Sequence, residues 1–585
     1  MKTENKKFEY LTIGLILIAA AGIRMANLGV QPLNDFEARW AFQAHEIAAG
    51  SSAEFGSNPA YTVLTSWLFS FFGSSAAAAR FFPALLGSLL VLLPFGLRTR
   101  MDRTAALIFA LGLAFDPGLV AVSRIAGGPM PALGFTILLV LSWLYGQMAW
   151  VGIFGALALL SGPAVWFGWA ALFLGWMLYQ LFQQEEATLS FETLRPAALP
   201  ALITLVVVGG NFLRTPQGIS SAALSLLEYF SGWTRLSPVP ARQLLAALAV
   251  YQPLALIFGL LAIFRSLRQA GAGIRILQML FGAALLAALV YPSHQVLDLV
   301  WALTALWGIA ALEMARYFRR REVWEPRVTL VTFGITFLFL VFFWLNLAGL
   351  SAQYAYASVE GSYITHLFAM IEGTSTLDAV SRSVVFRVVL AFLVPLLIGL
   401  SVIMIGFGWS QEDSKIGFSW GVILFLAAYV YGVSNGAHLR AKAANELWLP
   451  GSPAGYPDKL VQTLDTLSEW NKGMAGELEV VVLFESPVLD WELRDYRLSR
   501  QGKLLGEEEY PQVVITPVSY ANDPHLNAAY RGQSFPLGFI RGWETGLPQD
   551  FLRWFVFRDT VTYSNTVILW ARADLFPGGS LDDGR

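Results

Sequence analysis

The chain has 585 residues, 56% of them hydrophobic and 14% charged, with no cysteine and a formal net charge of -2. Soluble globules are less apolar and more charged than this, so the composition points to a polytopic membrane protein. It excludes disulfides, thiolate metal sites and cysteine nucleophiles, and it gives no basic, aromatic-interleaved pattern that would take nucleic acid.

In chain order, MKTENKKFEY followed by LTIGLILIAAAGI reads as an uncleaved first span, because Arg24 interrupts the zone where a cleavage site would lie. Next comes LNDFEARWAFQAHEIAAG, from Leu33 to Gly50. Asn34 or Asp35 can cap a helix there, and Phe36, Trp40, Ala41, Ala44, Ile47 and Ala48 recur at helical spacing, as expected of a helix lying on a membrane surface. A crossing needs about 20 apolar residues. On that basis thirteen spans are expected, at roughly 9–28, 79–97, 104–122, 129–148, 150–163, 164–183, 197–213, 244–264, 276–291, 296–314, 328–349, 386–409 and 417–435. With the N-terminus inside, the inner segments carry sixteen basic residues, from Lys2 to Lys415, against eight in the outer ones, between Arg39 and Arg387. That bias fixes the orientation and puts the C-terminus outside. Three outer loops are long, at 29–78, 214–243 and 350–385, and long loops commonly carry function. The first also holds NPAYTVLTSWLFSFFG and the second SSAALSLLEYFSGW, both of interfacial character.

Residues 1–437 therefore read as a membrane domain and 438–585 as a water-soluble one. In the latter, 458–470 has the spacing of an amphipathic helix, while LEVVVLF, QVVITPV and TVILWARADLF read as strands, so a small α/β domain on the side of the long loops is expected.

Asp35 and Glu37 stand at the mouth of this bundle. A carboxylate beside a low-dielectric wall can act as a general base or ligate a divalent cation with a neighbour, and the same pair can simply cap a helix and meet its dipole. Arg80 opens the second span and Arg124 ends the third, at the depth where a lipid-linked phosphate would lie; snorkelling to headgroups explains the same positions. Asp116 lies within the third span before Pro117 and Gly118, where it lines a wet cavity or serves a kink. His294 and Asp298 are spaced i, i+4, so the carboxylate can orient the imidazole, or both can simply reach water. Trp491, Arg494, Tyr496, Arg553, Trp554 and Arg558 suit sugar rings and equally suit packing of the outer domain onto the membrane-side platform.

The Glu37-Ala38-Arg39-Trp40-Ala41 helix, the FFGSSAAAARFFPALLGSLL segment and the DPGLVAVSR turn resemble the membrane glycosyltransferases of the GT-C fold. Within them they are similar to the glycosyltransferase family 39-like group of protein O-mannosyltransferases and lipid A aminoarabinose transferases. The resemblance covers roughly residues 10–315 and is best over 33–125. It implies a polyprenyl-phosphate-linked sugar as donor, an extracytoplasmic protein, lipid or glycan as acceptor, and in some members a divalent metal ion, for which Asp35 and Glu37 are the candidate ligands. It puts Glu37 on the family glutamate, Phe36 on the family aspartate with Asp35 displaced by one position, and Arg124 on the family arginine. The acidic residue that usually follows is replaced by Gly127-Gly128-Pro129, and the Lys-Pro-Pro of the first loop is reduced to Asn58-Pro59. The expectation is thus a multi-pass plasma-membrane glycosyltransferase with about thirteen helices and an outer α/β domain. Asp35 would be base, Glu37 its assistant, and Arg80, Arg124 and His294 would hold the departing phosphate, with Asp116 and Asp298 in support. The competing class is a non-catalytic relative that binds or helps flip a lipid-linked sugar, or scaffolds glycan assembly.

Overall fold

The structure, a computed structural model, describes residues 2–51, 56–97, 99–183, 191–267, 272–319, 324–359, 361–438, 445–500, 510–520, 526, 528–542, 546–548 and 550–577. The membrane part opens with α1 (Lys2–Met25), α2 (Asp35–Ala49), α3 (Pro59–Phe72), α4 (Ala76–Leu89) and α5 (Leu92–Gly96). Then come α6 (Arg103–Phe115), α7 (Pro117–Ser123), α8 (Met130–Leu144), α9 (Met148–Leu159), α10 (Pro163–Gln183) and α11 (Phe191–Thr204). It continues through α12 (Gln217–Ser231), α13 (Ala241–Tyr251), α14 (Pro253–Ser266), α15 (Ala272–Val290) and α16 (Val300–Ala315). It closes with α17 (Pro326–Tyr354), α18 (Tyr363–Ile371), α19 (Ala379–Gly408) and α20 (Gln411–His438).

By length and composition, six helices among the described residues can cross a membrane, or eight if each of two bent pairs is one span; five further apolar helices are shorter. The thirteen expected spans each fall on one of these helices or bent pairs. Every residue of α16 except Thr304 and Leu312 is buried, as expected of a helix that is apolar all round.

Two expected spans are not straight. The run 104–122 bends by 52° between α6 and α7, and 244–264 bends by 96° between α13 and α14. Each break precedes a proline, which removes one backbone donor and clashes with the preceding turn. At the first break the Arg24 guanidinium, fully buried, donates from Nη2 to Leu113 O at 2.8 Å and from Nη1 to Ala114 O at 2.8 Å. Those are carbonyls that the interrupted ladder leaves open, and in lipid they need an internal partner. Asp116 caps α7, accepting from Leu119 N at 2.8 Å and from Trp307 Nε1 at 2.8 Å.

The C-terminal α/β domain contains α21 (Pro457–Lys472), β1 (Glu479–Val482), α22 (Pro487–Glu492), β2 (Arg497–Arg500), β3 (Val513–Pro517), β4 (Tyr530–Arg541), α23 (Phe551–Phe557) and β5 (Thr562–Arg572). Its sheet runs β2-β1-β3-β5-β4, with β1 parallel to β2 and β3, and β5 antiparallel to β3 and β4. The helix and three strands expected here are present. β2 and β4 were not anticipated: RLSR has no apolar run, and Pro536 and Gly538 flank a register shift in β4, where proline is tolerated at an irregularity. Leu460, Leu464 and Leu467 of α21 are buried in one cluster with Val480 and Val482. That cluster runs on into Ala38, Ala41 and Ala44 of α2 and Phe69 of α3, so the domain core continues into the helices at one end of the bundle.

Docking also uses the aromatic and arginine groups. Arg494 lies 4.3 Å from the Trp491 ring centre and donates to Ser74 O at 3.2 Å, while Trp491 packs on Phe69. Trp554 donates to Asn445 O at 2.7 Å. These contacts are the packing use that the sequence allows for both clusters.

Candidate functional site

Asn34 starts α2 with a capping box: its side chain accepts from Glu37 N at 3.0 Å while Glu37 accepts from Asn34 N at 3.4 Å. The box turns Glu37 inward, where it is 1% exposed. Arg80 of α4 meets it with two parallel bonds, Nε to Oε1 at 2.7 Å and Nη2 to Oε2 at 2.6 Å. The other Arg80 donors go to Leu28 O at 3.0 Å, Gln31 O at 2.8 Å and Pro32 O at 3.1 Å. Ala126 N adds a fourth bond to Glu37, at 3.0 Å. This fork-to-fork pair therefore holds four pieces of chain: the 28–32 turn, α2, α4 and the loop after α7.

The pair forms one wall of a cavity, open to solvent, that spans about 590 Å³ with its mouth included. Arg124 lines it too, at the end of α7, donating from Nη1 to Arg24 O at 2.9 Å and Ala26 O at 2.7 Å. Its Nη2 makes only a 3.4 Å contact with Asn27 O. Because Arg80 is neutralised by Glu37 and Arg124 has no carboxylate bound to it among the described residues, Arg124 is the uncompensated positive charge of this wall. The rest of the lining comes from far along the chain: Tyr251 at the α13–α14 bend, and Glu446, Trp448 and Leu449 in the segment joining α20 to the C-terminal domain. The Tyr251 hydroxyl donates to Glu446 Oε2. Burial pushes the Glu446 carboxyl above the usual range, opposed by the nearby Arg558 guanidinium and by the Tyr251 bond. Arg558, at the end of α23, lies 4.7 Å from the Tyr251 ring centre.

Of the residues singled out in the sequence, Glu37, Arg80 and Arg124 share this cavity. Asp35 does not line it: exposed on the first turn of α2, its Oδ1 accepts from Val488 N of α22 at 3.4 Å. Nor does Asp116, which is taken up by the helix break. His294 and Asp298 do not bond to each other, because the helical turn begins only at Val296. The His294 ring is bound through Nδ1 to Tyr291 O at 2.7 Å, and Asp298 accepts from Gln295 N at 2.8 Å. Asp298 lines a second cavity of about 960 Å³ with Phe36, Trp40, Asn58, Tyr229, Tyr291 and Arg235. The residues do not fit a metal ion. Glu37 gives both oxygens to Arg80, Asp35 turns to α22, and no group of three or more potential ligands gathers among the described residues. Tyr251, Glu446 and Trp448 were missed. The Gln252-Pro253 break was the available signal for Tyr251, and a lone acid in the apolar stretch ELWLP for Glu446.

Of the two glycines after Ala126, only Gly127 leaves no room for a side chain. Its φ is +72°, and a Cβ on it would stand 2.2 Å from Cδ1 of Trp40, so any side chain would collide with α2.

No protein-family model matches the chain, and no curated protein matches it by sequence. Among solved structures, it is similar to ArnT from Cupriavidus metallidurans bound to undecaprenyl phosphate, with a TM-score of 0.55 and 14% identity over 98% of this chain and 99% of that one. The apo form of the same protein gives a TM-score of 0.56 with the same identity and coverage. The chain has the GT-C fold. The likeness spans both the helical bundle and the C-terminal domain. An Archaeoglobus fulgidus oligosaccharyltransferase in the apo form is a more distant match, with a TM-score of 0.39 and 12% identity over 88% of this chain and 70% of that one.

Proposed function

We propose that this GT-C chain is an integral-membrane glycosyltransferase that moves a sugar from a polyprenyl-phosphate donor to an extracytoplasmic protein, lipid or glycan. The observation that carries the reading is the cavity between the bundle and the C-terminal domain, whose wall holds Arg124 uncompensated beside the neutral Glu37–Arg80 pair. The similarity to a structure bound to undecaprenyl phosphate supports an anionic lipid carrier as ligand. The lipid phosphate sits against Arg124, with Nη2 as the available arm. As the bond from sugar to phosphate breaks, negative charge grows on the leaving group, and a fixed guanidinium stabilises it most at that moment. The Glu37–Arg80 pair keeps the 28–32 turn and the 124–126 loop in place, and so holds Arg124 in position. Asp35, the base expected from the sequence, would reach this cavity only if its contact with Val488 opened. The displacement is single and inverts the sugar carbon. The N-terminus is cytoplasmic and the C-terminal domain extracytoplasmic, in the plasma membrane, as the basic residues direct.

One observation favours the non-catalytic reading: both oxygens of the one acid from α2 in the cavity are already used by Arg80, Ala126 and Asn34. Two measurements separate the readings. Membranes containing the chain transfer labelled sugar from a polyprenyl-phosphate donor to an outer acceptor, and a deletion strain accumulates that donor. A deletion strain with unchanged sugar-lipids, and membranes without transfer from pentose or hexose donors, contradict the enzyme reading.

A further inference from the structure

The two carboxylates that line the cavity differ in what they have left to offer. Glu37 accepts four hydrogen bonds, two of them from Arg80. Among the described residues Glu446 is hydrogen-bonded through Oε2 alone, to Tyr251, and nothing bonds its Oε1. It is 6% exposed and lines the cavity, so the carboxylate is held in a protein environment with one oxygen not engaged by another described residue. A base must reach the proton it removes, and among the described carboxylates of this cavity only Glu446 has the lone pairs to do so.

We infer that Glu446 is the general base of the transfer reaction, supplied by the segment joining the last span to the C-terminal domain and aimed by Tyr251. The inference rests on the glycosyltransferase reading and replaces Asp35 in its scheme. The acceptor hydroxyl gives its proton to Glu446 Oε1 as its oxygen forms the new bond to the sugar carbon. The bond from that carbon to the phosphate oxygen breaks, and its electron pair leaves with polyprenyl phosphate, facing Arg124. Donor and acceptor supply every atom and electron of this step, and no oxidation state changes. Tyr251 is a positioning residue: bound to Oε2, it presents Oε1.

The groups facing Glu446 set its titration. Tyr251 comes from α13, Tyr429 from α20, Arg541 from β4 and Arg558 from the end of α23; Arg124 and the Glu37–Arg80 pair line the same cavity. A base works only when ionised. Since burial holds the proton on Glu446, the rate should be low in acid and rise with pH above the ordinary carboxylate range. Tyr251→Phe removes a donor to the ionised form, and Arg558→Ala removes a cation that favours it. Both should move the rising limb to higher pH.

The test uses the full chain in lipid nanodiscs, with undecaprenyl-phosphate-linked pentose and hexose donors and membranes of the deletion strain as acceptor, while binding of undecaprenyl phosphate is followed separately. Glu446→Gln should lower kcat by roughly 10²–10⁴-fold, the usual worth of a positioned base, with carrier binding within about twofold of wild type. Glu446→Asp should recover part of the rate. Transfer by Glu446→Gln at close to the wild-type rate overturns this inference and leaves the glycosyltransferase reading standing. So does an unmoved pH limb in Tyr251→Phe, a variant that decides the matter even if Glu446→Gln does not fold. A wild-type chain that binds undecaprenyl phosphate and transfers nothing from these donors overturns the parent reading together with the inference.

Discussion

At the scale of single residues, the Glu37–Arg80 pair is a joint more than a reagent. Both partners are nearly inaccessible, and every donor of the guanidinium has an acceptor. Such a pair adds little over a well-packed apolar substitute, but breaking it strands a buried charge, at a cost of roughly 3–5 kcal/mol. Glu37→Ala and Arg80→Ala should therefore each lower thermal stability sharply in detergent, and the double variant should fall by much less than their sum. Additive losses would show that the two residues act separately. The sequence places Glu37, Arg80 and Arg124 at the same end of the bundle, because the ends of spans are set by where apolar runs stop. It does not reveal that Arg80 is fully spent on Glu37 and three carbonyls while Arg124 is not, since that depends on how the 28–32 turn folds back.

At the scale of elements, two prolines do most of the shaping. Pro117 and Pro253 bend runs that are continuous in hydropathy, and the bends deliver Arg124 and Tyr251 to the same cavity. Hydropathy alone reads straight spans because it counts apolar residues and not donors. The cost of the first bend is met by Arg24, which fills carbonyls of α6. Arg24→Leu leaves those of Leu113 and Ala114 without a donor, at about 1–3 kcal/mol for each buried unsatisfied group. Thermal unfolding of this variant should fall accordingly, while a variant as stable as wild type would mean that water or a shift of α1 satisfies them. In the C-terminal domain the apolar strands β1, β3 and β5 are legible and the edge strands β2 and β4 are not: RLSR has no apolar run, and Pro536 and Gly538 interrupt the apolar half of β4.

At the scale of the molecule, the cavity is made by two parts of the chain that are far apart in sequence. Glu446 meets Tyr251 across 195 residues, a contact that no local pattern encodes. Trp554 fastens the joining segment: fully buried, it donates to Asn445 O and packs near Tyr251 and Phe551. Trp554→Ala should cost roughly 3–5 kcal/mol and loosen residues 445–449. Hydrogen exchange at those amides should rise while exchange in α16 stays slow. Equal protection of 445–449 in both proteins would show that the segment is held by other contacts. Through Trp554 the docked C-terminal domain holds the segment that brings Glu446 into the lining of the cavity.

The most direct measurement is titration of the purified chain with undecaprenyl phosphate, comparing wild type, Arg124→Ala and Arg235→Ala, whose arginine lines the second cavity. A hydrogen bond to a charged group is worth about 1.5–3 kcal/mol, so Arg124→Ala should weaken binding by roughly 10- to 100-fold and Arg235→Ala should leave it unchanged. Unaltered affinity in Arg124→Ala, or a loss confined to Arg235→Ala, would contradict the placement of the carrier phosphate in the cavity between the bundle and the C-terminal domain.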